Sequence, residues 1–333
     1  MRSTSPAAAI TRSPSEQSAL VKILVTGGAG FIGSHLCDAL VASDHSVVAA
    51  DNLSLGREAN LAQLDGDAAF EFVRGDVLDT EWFEGLVRAG GFDCVFHMAA
   101  NSDIARSHAN PRVDLDNTFL TTFSVLEAMR KADVRQIVFA STSAVYGEVE
   151  GEIREDFGPL KPISHYGAAK LASEGFISSF AENYGIQSWI TRFPNVVGPR
   201  ATHGAVYDFV HKLRRTPGRL EVLGDGKQEK PYLSVHDLVA AILLVWRSAT
   251  DRVNIYNVGA TTRSTVADIA RIVIEEGPGA AEIAYTGGDR GWIGDVPKFA
   301  YDISAIQALG WSPSITSDEA IRIAAKAVWA ETA

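Results

Sequence analysis

Cysteine is nearly absent, with only Cys37 and Cys94 in 333 residues. Their spacing is neither that of a metal-ligand motif nor that of a disulfide framework. Each falls within an apolar-periodic segment, so both read as buried structural thiols. Positive charge is scarce as well: Lys and Arg total 30 against 41 Asp and Glu, for a formal net charge of −11. That balance argues against a nucleic-acid binder, which needs a basic face for the phosphates. Nothing in the chain is long and apolar enough to span a bilayer. The Ser/Thr/Pro/Ala-rich stretch from Met1 to Ala19 lacks the apolar h-region of a secretory signal and reads as a disordered leader. The cytoplasm is the expected compartment, and no internal repeat is visible.

What is present is a globular composition, 46% hydrophobic and 21% charged, at a length that suggests roughly two domains. Lys22-Ile23-Leu24-Val25 is a short β-branched run ending at Thr26-Gly27, as a buried parallel strand would end. Phe31, Leu36 and Leu40 then repeat at helical spacing. Further apolar runs follow at Ser46 to Ala50 (closed by Asp51), Phe70 to Val73, Cys94 to Ala99 and Gln136 to Ala140, with helical segments such as Asn117 to Lys131 between them. Strands alternating with helices imply βαβ units and a Rossmann-type, doubly wound parallel α/β sheet over residues 20–194. After about Asn195 the alternation loosens and Gly and Pro become frequent. Residues 195–333 read mainly as a smaller α+β substrate lobe, with helices at Val235 to Arg247 and Val266 to Glu276 and some chain returning to the sheet. Two lobes of this kind enclose a cleft.

Gly27-Gly28-Ala29-Gly30-Phe31-Ile32-Gly33 lies directly between the first strand and the first helix. Gly27 permits the tight turn, Gly30 lets the backbone approach a pyrophosphate, and Gly33 lets helix and strand pack closely. The helix N-terminus adds free N–H groups and a partial positive charge. A glycine pattern alone is also an ordinary βα turn. Here strand and helix flank it, and Asp51 ends the second strand at the required distance, which points to a dinucleotide. A carboxylate at 51 can accept both ribose hydroxyls and repels a 2′-phosphate, which favours NAD over NADP. Asp76 either reaches the adenine region or serves the turn after Gly75.

Tyr166 and Lys170, four apart, share a face of a helix that runs towards Tyr184. A free phenol, with a pKa of about 10, is a poor base at neutral pH. A nearby ammonium together with the positive nicotinamide ring of NAD stabilises the phenolate. The strand-end hydroxyls of Ser141-Thr142-Ser143 could share a substrate proton with it. A Tyr-x-x-x-Lys pair alone is a common surface spacing; behind a nucleotide loop and a strand-end hydroxyl it becomes a catalytic one. His97, at the end of a buried strand, reads as a satisfied core histidine. His165 flanks a helix start and is either solvated or turned to the cleft. Asn101, Ser102 and Asp103 follow the fourth strand and so fall near the cleft.

With these marks, together with Asp51-Asn52, His97-Met98-Ala99-Ala100, Ser141 to Gly147 and Arg192-Phe193-Pro194-Asn195, the chain resembles the extended short-chain dehydrogenase/reductase family, in its nucleotide-sugar epimerase branch, from about Val21 onwards. The resemblance implies that NAD is held by Gly27, Gly30, Phe31, Ile32, Asp51, Asn52, Asp76, Val77, Ala99, Ala100, Tyr166 and Lys170. It puts the catalytic hydroxyl on Thr142, beside Tyr166 and Lys170, and the substrate-binding set on Thr142, Ser143, Asn195, Lys230 and Arg290. Arg290 and Trp292 fall in the segment that meets the nucleotide end, Trp292 either covering base or sugar or simply packing. A homodimer through two helices of the sheet lobe is implied too.

Within the family, dehydratases resemble one another in an Asp-Glu pair just after the catalytic threonine, and decarboxylases tend to carry a glutamate there. This chain has Ser143 and Ala144. Without an acid at that place, proton removal at C5 has no evident agent. The resemblance therefore implies a 4-epimerase of the UDP-glucose/UDP-galactose type, working through a transient 4-keto sugar. The alternatives are an oxidoreductase, decarboxylase or dehydratase on a related nucleotide sugar, or an epimerase of UDP-glucuronate or a UDP-N-acetylhexosamine. One departure is Lys230, which stands where many relatives carry a diphosphate-binding arginine; it brings one compact charge without the bidentate fork.

Overall fold

The computed structural model of the chain describes residues 20–102, 104–149, 151–288 and 300–332. Seven parallel strands form its central sheet: β1 (Lys22–Thr26), β2 (Ser46–Asp51), β3 (Phe70–Arg74), β4 (Cys94–His97), β5 (Gln136–Thr142), β6 (Gln187–Phe193) and β7 (Val253–Asn257). Their order is β7-β6-β5-β4-β1-β2-β3. Each consecutive pair is parallel, with Ile23 opposite both Val47 and Cys94. The order reverses between β1 and β4, and beyond the carboxyl ends of those two strands a doubly wound sheet opens its crevice.

Alternate strand residues face opposite layers, which explains why the strands read as unbroken apolar runs. Ile23 and Val25 pack with Leu36 and Leu40 of α1 (Phe31–Val41) and with Leu238, Ile242 and Val245. Leu24 and Ile137 pack on the other face with Phe83, Leu126, Met129 and Ile177. These come from α2 (Thr80–Gly90), α3 (Thr121–Ala132) and α4 (His165–Tyr184). Cys37 and Cys94 are free and buried in the first of these layers.

Two elements differ from the sequence pattern. The apolar run through Ala99 leaves the sheet after His97, because Met98, Ala99 and Ala100 turn along the crevice rather than continue the ladder. The helix expected from Asn117 starts with a widened π turn, Leu115–Leu120, before α3 becomes regular. Such turns redirect side chains that a 3.6-residue repeat would place elsewhere.

Beyond Asn195 the chain divides. Helices α5 (Ala205–Arg215), α7 (Val266–Glu275) and α8 (Ser317–Glu331) close a separate core that includes Phe209, Val210, Leu220, Ile269, Ile272, Ile321 and Val328. Between α5 and α7, helix α6 (Val235–Ser248) joins the layer of α1, and Val253–Asn257 adds the edge strand β7. Among the described residues, no helix is long and apolar enough to cross a membrane.

The first turn of α1 depends on close approach. A Cβ at Gly33 would lie 2.1 Å from the Gly27 carbonyl oxygen, and Gly27 itself has φ +70°. Gly33→Ala is expected to cost about 1–3 kcal/mol through overpacking, read as a lower urea midpoint. An unchanged midpoint would show that the loop relaxes freely.

Candidate active site

A cavity of about 870 Å³ runs across the carboxyl ends of the strands, between the sheet and the α5–α8 core. At one end stands the glycine loop. Gly30 precedes α1, no side chain among the described residues caps that helix, and its first turn lines the cavity. Asp51 closes β2 with its carboxylate drawn into the loop: Oδ2 accepts from Ala29 N at 3.1 Å and Oδ1 from Leu53 N at 2.7 Å. Burial pushes this carboxyl above its usual range, and the N–H donors pull it back. Asn52 Nδ2 donates to Asp76 Oδ2 at 3.0 Å between the adjacent ends of β2 and β3, while Asp76 Oδ1 accepts from Leu78 N at 2.8 Å in the turn after Gly75. Gly27, Gly30, Phe31, Ile32, Asp51, Asn52, Asp76, Val77, Ala99 and Ala100 all line this end. A helix N-terminus that offers N–H groups, with a buried carboxylate behind it, suits the pyrophosphate and ribose of a dinucleotide.

Towards the other end, β5 terminates at Thr142 and α4 begins. Ser164 caps α4 by accepting from Gly167 N at 3.1 Å, which fixes Tyr166 in the first turn and Lys170 in the next. The helix approaches the 143–145 turn so closely that a Cβ at Gly167 would sit 2.5 Å from Ala144 O. Thr142 Oγ1 accepts from Ala144 N at 3.2 Å, and its hydroxyl favours the ionised form of Tyr166. Lys170 is 2% exposed. Its Nζ donates to Ala140 O at 2.6 Å and lies 4.5 Å from the centre of the Phe139 ring and 6.0 Å from that of Tyr166.

Burial and the Asp114 carboxylate hold Tyr166 well above the usual tyrosine range, against the Thr142 hydroxyl. Lys170 alone does not reverse this; burial draws the lysine itself down to about 7, while Glu174 and Asp114 favour its charged form. Its ammonium points to the Ala140 carbonyl, not to the phenol oxygen.

Behind the pair lies a buried polar cluster whose members the sequence did not mark as connected. Arg192 reaches Glu174 with Nε at 3.0 Å and Nη2 at 2.6 Å, both side chains nearly solvent-free. Ser141 Oγ also donates to Glu174, and Arg192 Nη1 donates to Tyr146 Oη at 2.9 Å. Tyr146 in turn donates to Asn257 of β7 at 2.7 Å. His97 is fully buried between Thr26 and Thr122, at 2.7 and 3.1 Å, as a satisfied core histidine.

The remaining expectations sort themselves by position. Ser143, Asn195 and Lys230 line the cavity, as do Asn101 and Ser102. His165 is exposed and does not line it. Asp103, Arg290 and Trp292 lie outside the described residues. Missed by the sequence reading were Asn117 and Gln228, both on the cavity wall, and the buried Asp114. Asp114 sits in a polar stretch with no apolar pattern to announce its burial.

Residues 23–259 match the NAD dependent epimerase/dehydratase family. A crystal structure of a UDP-galactose 4-epimerase is 40% identical, covering 93% of this chain and 99% of that one at a TM-score of 0.83. The UDP-glucose 4-epimerase of Mycolicibacterium smegmatis is 31% identical over 90% of this chain and 96% of its own. The dTDP-glucose 4,6-dehydratase DesIV of Streptomyces venezuelae, solved with NAD and TYD bound, is 29% identical, covers 93% of this chain and 97% of that one, and has a TM-score of 0.83. A UDP-glucuronic acid decarboxylase of Arabidopsis thaliana stands at a comparable 30%, over 90% of this chain and 68% of its own.

The buried histidines make the protein acid-labile. Burial, with Lys170 beside it, lowers His97 to about 3, and burial lowers His35 to about 4 against its bond with Pro199 O. The folded state keeps both neutral while the unfolded chain protonates them below about pH 6.5. Their contribution is therefore present above that pH and lost as pH falls towards the folded values, by up to about 1.4 kcal/mol per pH unit for each. Urea titrations between pH 7 and 5 are expected to show this slope, reduced in His35→Asn; a flat profile would contradict it.

Proposed function

The chain belongs to the NAD dependent epimerase/dehydratase family, and within that family we propose that it is a nucleotide-sugar 4-epimerase acting on the UDP-glucose/UDP-galactose pair. One observation carries this choice. Ser143 and Ala144, which line the cavity directly after Thr142, place no acid there for elimination or for chemistry at C5. Epimerisation needs only one base and a retained cofactor. NAD is that cofactor, and when bound it supplies a reversible hydride acceptor beside the sugar carbon.

The chain's own residues then do the rest. Tyr166, helped by Thr142, takes the proton of the sugar 4-hydroxyl as that carbon is oxidised to the 4-keto level. Lys170, fixed by the Ala140 carbonyl, stabilises the phenolate without leaving its place. Asn195 and Lys230 hold the nucleotide end, joined by Arg290, while the keto sugar turns about its diphosphate linkage. Once the opposite face of C4 is presented and the keto carbon is reduced again, Tyr166 returns the proton to the 4-oxygen. Binding energy concentrated on the nucleotide lets the sugar move without being lost.

The comparable identity of dehydratases and a decarboxylase supports a second reading, a net reaction on a related nucleotide sugar. UDP-N-acetylglucosamine and UDP-glucuronic acid 4-epimerases of the same fold support a different sugar for the same chemistry. The purified protein is expected to carry NAD and to equilibrate the two UDP-sugars without added cofactor or net NADH. Stoichiometric NADH, or loss of water or carbon dioxide from the sugar, would overturn epimerisation. Tyr166→Phe should lower the rate by about 10²–10⁴-fold with NAD still bound; a wild-type rate would remove the acid/base assignment.

We further read the protein as a cytoplasmic homodimer joined through the outer faces of α3 and α4. Phe123, Phe176 and Tyr184 are 37%, 40% and 41% exposed there. They interlock with Phe119 and Phe180 at centroid distances of 5.0–6.4 Å, and aromatic patches of this kind mark interfaces. Light scattering is expected to give a dimer mass for the wild type and a monomer mass for Phe176→Glu; a monomeric wild type would refute the interface.

A further inference from the structure

The chain between Asp51 and β3 lies against the back of the glycine turn. Its 3₁₀ turn, Glu58–Leu64, buries Leu61 and Leu64 in the same layer as Leu36 and Leu40 of α1, since residues three apart share a direction in such a turn. Asn60, beside them, is 6% exposed, and a buried amide is costly unless its polar atoms are paired. Its Nδ2 donates to the Ala29 carbonyl oxygen at 2.9 Å. The same oxygen accepts from Arg57 N at 3.0 Å, and Ala29 N donates to Asp51 Oδ2 at 3.1 Å. A Cβ at Gly56 would stand 2.9 Å from the Ala29 carbonyl carbon, so the segment comes as close as a glycine permits. The clamp is anchored in its turn. Gln63 Nε2 donates to Asn60 O at 3.0 Å and to Asp38 Oδ1 at 2.5 Å, and Asp38 pairs with Arg200 at 2.8 Å.

Gly27, Gly30, Phe31, Ile32 and Gly33 line the cavity, whereas Ala29, Arg57 and Asn60 do not. The Ala29 carbonyl is therefore engaged by two groups that lie off the crevice wall. Directly after it α1 begins, with Ser34 N donating to Gly30 O at 3.0 Å. Helix geometry leaves the N–H groups of Phe31, Ile32 and Gly33 without acceptors inside the helix, and these are the groups that meet a phosphate at such a turn. Were the Ala29 carbonyl to swing towards the crevice, it would set a partial negative charge against that phosphate and tilt the peptides that follow.

Resting on the reading of Gly27 to Gly33 as the seat of the NAD pyrophosphate, we propose that Asn60 is a positioning residue for the cofactor. Its side-chain amide holds the Ala29 carbonyl back, so that the N–H groups at the start of α1 converge on the phosphates. It touches neither cofactor nor substrate. A turn fixed before the cofactor arrives binds it without first being ordered, which suits an enzyme that keeps NAD from one cycle to the next.

The test titrates full-length protein, freed of bound nucleotide, with NAD and separately with UDP. Asn60→Leu removes the donor at similar volume. It is expected to weaken NAD about three- to tenfold, the range of one hydrogen bond, with UDP affinity within about twofold of wild type. Asn60→Ala, which brings neither bulk nor charge into the 3₁₀ turn, is expected to show the same split and serves if the leucine variant does not fold. Leu61→Ala, one residue on, should lower the urea midpoint through lost packing and leave the NAD affinity of the folded protein unchanged. The proposal is overturned by an NAD affinity within about twofold of wild type in a folded Asn60 variant. Equal weakening of NAD and UDP, or equal weakening of NAD by Leu61→Ala, overturns it as well.

The reading on which it rests is tested apart. Gly30, at φ −73° and ψ 177°, already has the extended backbone that a following proline requires, and proline is tolerated at the first helical position. Phe31→Pro therefore removes one N–H from the turn and is measured against Phe31→Ala. Weaker NAD binding by the proline variant supports the seat; equal binding by the pair refutes it, and the proposal with it. No arm reads turnover, so a failure of the epimerase assignment shows itself separately, as UDP-sugars that do not equilibrate.

Discussion

The ammonium of Lys170 lies buried at the carboxyl end of a parallel sheet, and the surrounding structure answers to that charge. It donates a hydrogen bond to the Ala140 carbonyl and lies over the face of Phe139, contacts that soften the cost of removing a cation from water. Two carboxylates stand within its field. Glu174, one helical turn further on, is engaged by Arg192 and Ser141 and is thereby fixed in place. The buried Asp114 carboxylate also favours the lysine's charged form. His97, also nearby, stays neutral because a second buried cation would have no counter-charge. Thr142 and Tyr166 meet on the cavity side of this arrangement, where a substrate hydroxyl can reach both.

The sheet topology accounts for why this charge can be buried there. Strands β5 and β6 end side by side, with Thr142 opposite Phe193 and Ser141 opposite Arg192. The last turns of the parallel sheet thus deliver a hydroxyl and a guanidinium to the start of α4. Glycine at 167 lets that helix come down onto the Ala144 carbonyl, setting the tyrosine at the strand end. The glycine loop and the Tyr166/Lys170 pair then share one crevice because β1 and β5 lie on either side of β4 in the same sheet. The lobe of α5, α7 and α8 closes the crevice from above and brings Lys230 to its wall. A strand pair, Ala300–Tyr301 on Glu152–Ile153, ties the C-terminal part of the chain to the segment after β5, and Tyr301 packs edge-on against Tyr146 at a centroid distance of 6.2 Å.

Much of this was legible in the linear order of residues, for a definable reason. Alternating apolar runs and helical repeats report which face of an element is buried, and that was enough for the doubly wound sheet. The glycine loop, Asp51 and the Tyr166/Lys170 pair were legible because each is local: a turn, a strand end, one face of a helix. Ser143 and Ala144 were informative through their chemistry alone. Less legible was the course of the chain after Asn195. A helical repeat at Val235 to Arg247 states that one face is buried but not against which layer, and α6 packs with α1 on the sheet rather than with α5.

Residue order alone therefore determined the element types, the glycine turn and the placing of Tyr166 and Lys170 on one helix face, since these depend on contacts over a few residues. Tertiary structure decided the electrostatics. Asp114 lies more than fifty positions before Lys170 and within a polar stretch that resembles a solvated helix; only the π turn after it, packed on α4, buries its carboxylate where it favours the lysine's charged form. Likewise Arg192 becomes the partner of Glu174 only where β6 passes beneath α4. Charges act through space in a medium of low polarisability. Their effect on Tyr166 is set by how the elements cross, which no local pattern of residues records.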